Sequence, residues 1–383
     1  MAFNTYEITA EQRAALLSPQ ICSDNNAELN ETLQSIKQTF DEEGFVLIRG
    51  LIDEDMKARL IAAGTELQKG ARPPIGNQFN ALEFGSAFNC DNAVYRDVAL
   101  ESAIPAMIAK VLLNIDKESE KDDNEEKKGD ETSPTTLRLL KDAFMAKGKE
   151  EKHCGWHVDD SVFWPTDSSS SGVNVWLCLD EIPSKYGGGM AVSPRSHTAE
   201  WRRDAYACIG STPTLRPEGL SPAELLKSFG NSCNMEGLDK NLYNKIESTK
   251  IEFDYQPGDC LFCNRWLFHR SIIINEDGMK HYGEESALKR YTIRYVRGSA
   301  SLLNGVNLEP CILMDSQFSG KTLDEVSEMS RMPYYPKCWP PLQVDEKKEQ
   351  IEGMERLAKD VLPLAMKKKI EVIQGLFAKP EKA

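Results

Sequence analysis

Between Val173 and Asp180 the chain reads Val-Asn-Val-Trp-Leu-Cys-Leu-Asp, a strict two-residue alternation that suits a strand rather than a helix. Side chains two apart on a strand share a face. Val173, Val175, Leu177 and Leu179 therefore lie on one side, and Asn174, Trp176, Cys178 and Asp180 on the other. Such a strand is covered by apolar packing on one side and lines something on the other. Arg290-Tyr-Thr-Ile-Arg-Tyr-Val296 alternates in the same way, as does much of Thr135 to Lys147. Phe45-Val-Leu-Ile48 is a short apolar run fit for a buried strand, and Met190-Ala-Val192 follows the turn Tyr186-Gly-Gly-Gly189. Ile251-Glu-Phe-Asp-Tyr255 and Cys260-Leu-Phe262 flank Pro257-Gly258-Asp259 and read as a strand pair around a turn.

Helices frame these strands. Ile36 to Gly44 is a helix closed by glycine. Leu51, Ile52, Met56, Leu60 and Ile61 repeat at helical spacing, with Asp53, Glu54 and Asp55 where the macrodipole favours acids. Ile104 to Leu113 is a third helix, and Ile351, Met354, Leu357, Val361, Leu362 and Met366 mark a last one. The expected fold class is mainly β with flanking helices, an α+β arrangement. A chain of 383 residues can hold one large domain or two. We read residues 1–36 as a polar lead-in, 37–300 as the functional domain, and 301–383 as a helical extension packed on it. Within the domain, residues 71–92 form an irregular loop. Residues 114–134, dominated by Asp, Glu and Lys, have almost nothing to bury and read as a disordered insert. Residues 200–248 are a polar insertion near the site mouth, with one helix near Pro222–Phe229.

With 46 Lys+Arg against 60 Asp+Glu the net charge is −14, which argues against nucleic acid or an anionic membrane as partner. No apolar run is long enough to span a membrane, and no secretory signal opens the chain. The ten cysteines are scattered, so buried free thiols in a reducing, cytoplasmic setting are the expectation. Cys260 and Cys263 form the one CxxC, but on a strand they face opposite sides and no second pair completes a zinc site. Oligomeric state leaves no signature in the sequence.

The chemistry concentrates in Trp156-His-Val-Asp159. On a strand His157 and Asp159 point the same way, and His269, on a distant strand after the Pro-Gly-Asp turn, can supply a second imidazole. Two histidines and a carboxylate on one face of an ion suit a non-heme Fe(II) oxygenase. Arg290 begins a later strand, and Arg294 shares its face. An arginine fork matches the far carboxylate of a keto-acid co-substrate such as 2-oxoglutarate. Arg290 is the favoured anchor and Arg294 the alternative. Asn174 and Trp176 occupy the candidate inward face. A zinc or manganese cupin-type hydrolase would need no such arginine, and a non-catalytic binding module would need no complete ligand set.

These segments resemble the phytanoyl-CoA dioxygenase-like family of Fe(II)/2-oxoglutarate oxygenases. Phe40 to Ile52 resembles its opening helix–strand, and Trp156-His-Val-Asp159 its first metal motif. Trp176 to Ile182 with Gly188 to His197 resembles its central strands, and Pro257-Gly-Asp259 with His269-Arg-Ser271 and Asn275 its distal motif. The resemblance implies a double-stranded β-helix, a cupin-like jelly-roll. It implies iron on His157, Asp159 and His269, and 2-oxoglutarate on Arg290 beside Trp176. O2 is then a co-substrate and ascorbate a candidate reductant. The implied reaction oxidises a small-molecule metabolite, with hydroxylation as the default. Ring closure or desaturation, as relatives in secondary metabolism perform on kainoid amino acids, is the alternative. Asp159 counts against halogenation, since halogenases of this group lack the carboxylate. Phe163, Trp164 and Arg195 are candidates for the substrate side. His197 reads as structural, His153 and His281 lie in polar loops, and Arg270 points away from the metal toward the surface.

Overall fold

The structure, a computed structural model, describes residues 5–18, 27–69, 93–115, 136–147, 154–159, 164, 166–167, 169–201, 235–283, 286–302 and 318–361. The loop at 71–92, the acidic insert beyond residue 115, His153, Phe163 and the helix expected near Pro222–Phe229 lie outside these residues.

The first element is strand β1 (Thr5–Glu7), within the polar lead-in. Helices α1 (Ala10–Leu17) and α2 (Ala27–Glu43) follow, and strand β2 (Phe45–Arg49) comes next. Gly44 between α2 and β2 has φ +83°, a left-handed turn that glycine adopts without strain. Then come α3 (Glu54–Lys69), α4 (Ala93–Glu101) and α5 (Ala103–Ala106), the last running on as a wider coil over Met107–Leu112. Long strands β3 (Leu137–Lys147), β4 (Gly172–Cys178), β7 (Cys260–Asn264) and β9 (Leu288–Arg297) build the larger sheet, in the order β1-β2-β7-β4-β9-β3 with one further strand beside β3. Its last member, β10 (Lys337–Trp339), comes from the C-terminal extension, which is therefore not purely helical. Short strands β5 (Met190–Val192), β6 (Ile251–Glu252) and β8 (His269–Ser271) form a second sheet in the order β6-β5-β8.

The alternation read in Val173–Asp180 divides the larger sheet as expected. Val173, Val175, Leu177, Tyr291, Ile293 and Tyr295 pack outward with Ile36, Phe40, Leu60 and Ile104 of the helices. Trp176, Cys178, Leu261 and Cys263 face inward and meet Met190, Val192 and Tyr255 of the smaller sheet's side. Two sheets face to face with helices behind the larger one make the jelly-roll. Cys260 packs outward and Cys263 inward, as strand alternation requires.

Two expectations are corrected. Ile251–Tyr255 and Cys260–Phe262 do not pair across the Pro-Gly-Asp turn. The turn carries the chain from one sheet to the other, with Gly258 at φ +95° and Tyr255 bridged to Ile182 instead. Nor are all cysteines thiols: Cys178, Cys260, Cys263 and Cys338 are free and buried, but Cys154 is disulfide-bonded. Scatter along the chain says nothing about which sulfurs meet in space.

Helices α6 (Met235–Leu238) and α7 (Lys240–Glu247) pack Met235, Leu242 and Ile246 against Trp156, Val158, Ala191 and Phe268, behind the smaller sheet. The described part of the 200–248 insertion thus lies against the outside of that sheet, not at a mouth. Helix α8 (Glu276–Tyr282), capped by Asn275, fills the long connection between His269 and Arg290. In the extension, α9 (Leu323–Ser330) buries Leu323 and Val326, and α10 (Val344–Arg356) buries Met354. Arg138 of β3 donates to the Tyr335 carbonyl at 2.7 Å, which ties this extension to the domain. No helix among the described residues is long and apolar enough to cross a membrane.

Trp164 lies beneath Gly172, where an added Cβ would stand 2.2 Å from the indole ring. Gly172→Ala is expected to destabilise the protein by about 1–3 kcal/mol through overpacking. A urea unfolding midpoint equal to that of the parent would contradict this packing.

Candidate metal centre

His157 and His269 sit opposite each other on adjacent strands, each backbone N–H donating to the other's carbonyl at 3.0 Å. This pairing brings two imidazoles far apart in sequence to a ring separation of 4.3 Å. The His157 Nδ1 contacts the Gly155 carbonyl at 2.7 Å, and the His269 Nδ1 the Leu267 carbonyl at 3.0 Å. A carbonyl can only accept, so both Nδ1 atoms carry hydrogen and both Nε2 lone pairs are left for an ion. Asp159 Oδ1 lies 3.5 Å from Nε2 of His157 and 3.6 Å from that of His269. Ligands at ~2.1 Å from one ion stand roughly 3–3.5 Å apart, so these three donors need little movement to share a metal. All three donor atoms lie within 4.8 Å of one another. The donor set fits Fe(II): two neutral imidazoles, one carboxylate and an open side.

Electrostatics favour the required protonation states. Burial, reinforced by the neighbouring His269 ring, lowers the His157 pKa and keeps that imidazole neutral. Burial alone would raise the Asp159 carboxyl, but the Arg294 guanidinium outweighs it and holds the pKa well below the usual carboxylate range.

The register of β4 on β9 pairs Asn174 with Arg294, Trp176 with Thr292 and Cys178 with Arg290. Arg290 and Arg294 therefore share the inner face, as strand alternation predicts, but their surroundings differ. Arg294 donates to Asp159 Oδ2 from Nε at 3.0 Å and from a terminal nitrogen at 2.7 Å, which turns Oδ1 toward the imidazoles. Arg290, four residues earlier, donates to the Gly188 carbonyl at 3.1 Å and sits 5.9 Å from the Trp176 ring. Trp176 in turn packs on Tyr255 at 4.5 Å. Neither amide atom of Asn174, both buried, has a hydrogen-bond partner among the described residues.

Other residues singled out above fall elsewhere. Arg195 is largely exposed and donates twice to Glu43 at the end of α2, so it belongs to a surface ion pair and not to the substrate side. Trp164 is wholly buried with its ring 4.8 Å from the Arg265 guanidinium, in a packing role. His197 contacts the Asp41 carbonyl at 3.1 Å, in keeping with a structural role. His281 lies on α8 and not in a loop, stacked on Tyr186 at 4.2 Å. Arg270 does point away from the metal, but into a partly buried ion pair with Glu247. Arg265 escaped notice in the sequence. Fully buried at the end of β7, it donates to the carbonyls of Asp167 and Ser170 at 2.8 and 2.9 Å and fastens the segment that follows Asp159.

The family model for phytanoyl-CoA dioxygenase matches residues 40–273, more than half of the chain and inclusive of all three metal-ligand candidates. The chain belongs to the phytanoyl-CoA dioxygenase family. It is accordingly a non-heme iron, 2-oxoglutarate-dependent oxygenase. A search of curated proteins finds no match. Among solved structures, the carbocyclase SnoK from nogalamycin biosynthesis is 15% identical with a TM-score of 0.53, the alignment covering 79% of this chain and 95% of SnoK. Iron-bound EctD from S. alaskensis is 14% identical with a TM-score of 0.46, covering 75% and 84%. HygX from Streptomyces hygroscopicus, with nickel and 2-oxoglutarate bound, is 14% identical with a TM-score of 0.43, covering 69% and 86%. The SnoK likeness supports the jelly-roll fold of this phytanoyl-CoA dioxygenase family member.

Loss of an outer partner of a metal ligand typically costs 10–100-fold in affinity, and loss of a ligand itself costs more. His269→Ala and Asp159→Ala are expected to weaken Co(II) binding by more than about 100-fold, read from the cobalt visible bands. Parent affinity in either variant would contradict this ligand set.

Proposed function

We propose that this enzyme oxidises an unactivated C–H bond of a small-molecule metabolite, turning 2-oxoglutarate and O2 into succinate and CO2. One oxygen atom enters succinate and the other leaves in the hydroxylated product, so the equation balances without a further oxidant. The observation that carries this reading is the convergence of two imidazoles, each fixed in its tautomer by a backbone carbonyl, with one carboxylate oxygen.

Iron(II) on His157, Asp159 and His269 would supply O2 activation at the expense of the keto acid, with ascorbate able to restore the ferrous state. The protein's part is to bind, orient and exclude water. These three residues would hold the ion and leave positions on it for the co-substrates. Arg290 holds the far carboxylate of 2-oxoglutarate. Its buried guanidinium beside Trp176 is a low-dielectric setting in which a charge-assisted, two-point contact is strong. Trp176 and Tyr255 wall that end of the barrel against water. The Asn174 amide offers one donor side and one acceptor side on the same inner face. Arg294 serves Asp159 in this reading, not the co-substrate, since its Nε and a terminal nitrogen both donate to that carboxylate. The small-molecule substrate accords with the acidic surface, which disfavours polyanionic partners.

Anaerobic addition of 2-oxoglutarate to iron-loaded protein should produce a weak visible absorption, and O2 should then release succinate. Arg290→Gln should raise the KM for 2-oxoglutarate by about 30-fold or more, the low end (~2 kcal/mol) of losing one member of a buried charge pair. The same change at Arg294 should chiefly weaken metal binding. Succinate release undiminished in Asp159→Ala would overturn the proposed reaction, and a KM effect at Arg294 alone would reassign the anchor.

A further inference from the structure

The strands that carry the two histidines are short, and the residues flanking the ligands point out of the barrel's far side. Trp156 precedes His157 and Arg270 follows His269. Both reach one carboxylate, that of Glu247 at the end of α7. Glu247 Oε2 accepts from Trp156 Nε1 at 2.8 Å and from Arg270 Nε at 3.1 Å. Its Oε1 accepts from a terminal nitrogen of Arg270 at 3.0 Å and lies 2.8 Å from Lys250 Nζ. The Arg270 guanidinium also lies 5.4 Å from the Trp156 ring.

We infer that Glu247 is a positioning residue for the metal centre, a clamp that joins the two histidine strands from behind and sets the spacing of the two Nε2 atoms. This rests on the metal-centre reading above. Three observations support it. Among the described residues, the two histidine segments are joined by the two His157–His269 backbone hydrogen bonds and one from Ser271 N–H to the Cys154 carbonyl at 3.0 Å. The Arg270 fork engages both oxygens of Glu247, a geometry that fixes direction as well as distance. And an acid on the last residue of a helix faces the negative end of the macrodipole, so its position is unfavourable for the helix taken alone. The burial of Leu242 and Ile246 against Trp156 and Phe268 keeps α7 in register for the contact. The α6–α7 part of the insertion is thereby coupled to chemistry on the opposite face of the sheet.

The test is Co(II) titration of the full chain without 2-oxoglutarate, read from the visible bands, beside the thermal midpoint of each apo-protein. Glu247→Gln leaves an oxygen for Trp156 but turns an NH2 toward Arg270. It should weaken Co(II) binding about tenfold, the lower end of the range for outer partners of ligands, and shift the bands. Arg270→Gln should do the same. Glu252→Gln, which removes a partner of Lys250 and touches neither flanking residue, should leave affinity and bands unchanged. A purely structural Glu247 would lower the thermal midpoint and leave the cobalt affinity and bands at parent values, and that result overturns the clamp. Failure of the parent to bind Co(II) at all would overturn the metal centre and the clamp with it.

Discussion

Everything at the site depends on the antiparallel pairing of His157 with His269. Two backbone hydrogen bonds of 3.0 Å do what the sequence separation alone would forbid, and set two imidazoles side by side. Because alternate residues of a strand share a face, the same pairing puts Asp159 within reach of both rings while Val158 turns back into the apolar layer under α7. The local carbonyls of Gly155 and Leu267 then choose the tautomers. Ligand geometry thus begins with sheet register and backbone acceptors.

Charge is arranged around that pairing with little redundancy. Asp159 is almost fully buried, and an ionised carboxylate there requires a cation or an ion. Arg294 meets that need on Oδ2 and leaves Oδ1 for the metal side. Four residues earlier on the same face of β9, Arg290 stands among Trp176, Cys178 and Gly188. Two arginines on one face of β9 therefore have different neighbours, one the Asp159 carboxylate and the other the Gly188 carbonyl and the Trp176 ring.

The long strands and their inner faces were legible in the sequence because strict alternation over seven or more residues has no good helical reading, as in Val173–Asp180 and Arg290–Val296. The smaller sheet was not legible by that route, since β5, β6 and β8 run for only two or three residues each. Strands β5 and β6 were signalled by the turns beside them, Tyr186–Gly189 and Pro257–Asp259, and β8 by the chemistry it carries, the distal histidine. The pairing of Ile251–Tyr255 with Cys260–Phe262 failed because a turn motif does not report whether the chain returns to the same sheet. Alternation likewise placed Arg290 and Arg294 on one face but could not separate their surroundings, which differ because Arg294 is paired with Asn174 and Arg290 with Cys178. Glu247 had no sequence signal at all. Its partners lie 91 and 23 residues away, and a polar helix end reads as solvated surface.

The most direct measurement is anomalous diffraction at the iron edge from crystals loaded anaerobically with Fe(II) and 2-oxoglutarate. The account predicts one strong peak about 2.0–2.2 Å from His157 Nε2, Asp159 Oδ1 and His269 Nε2, distances usual for such ligands. A peak held by other residues, or none at this position in iron-loaded crystals, would contradict it.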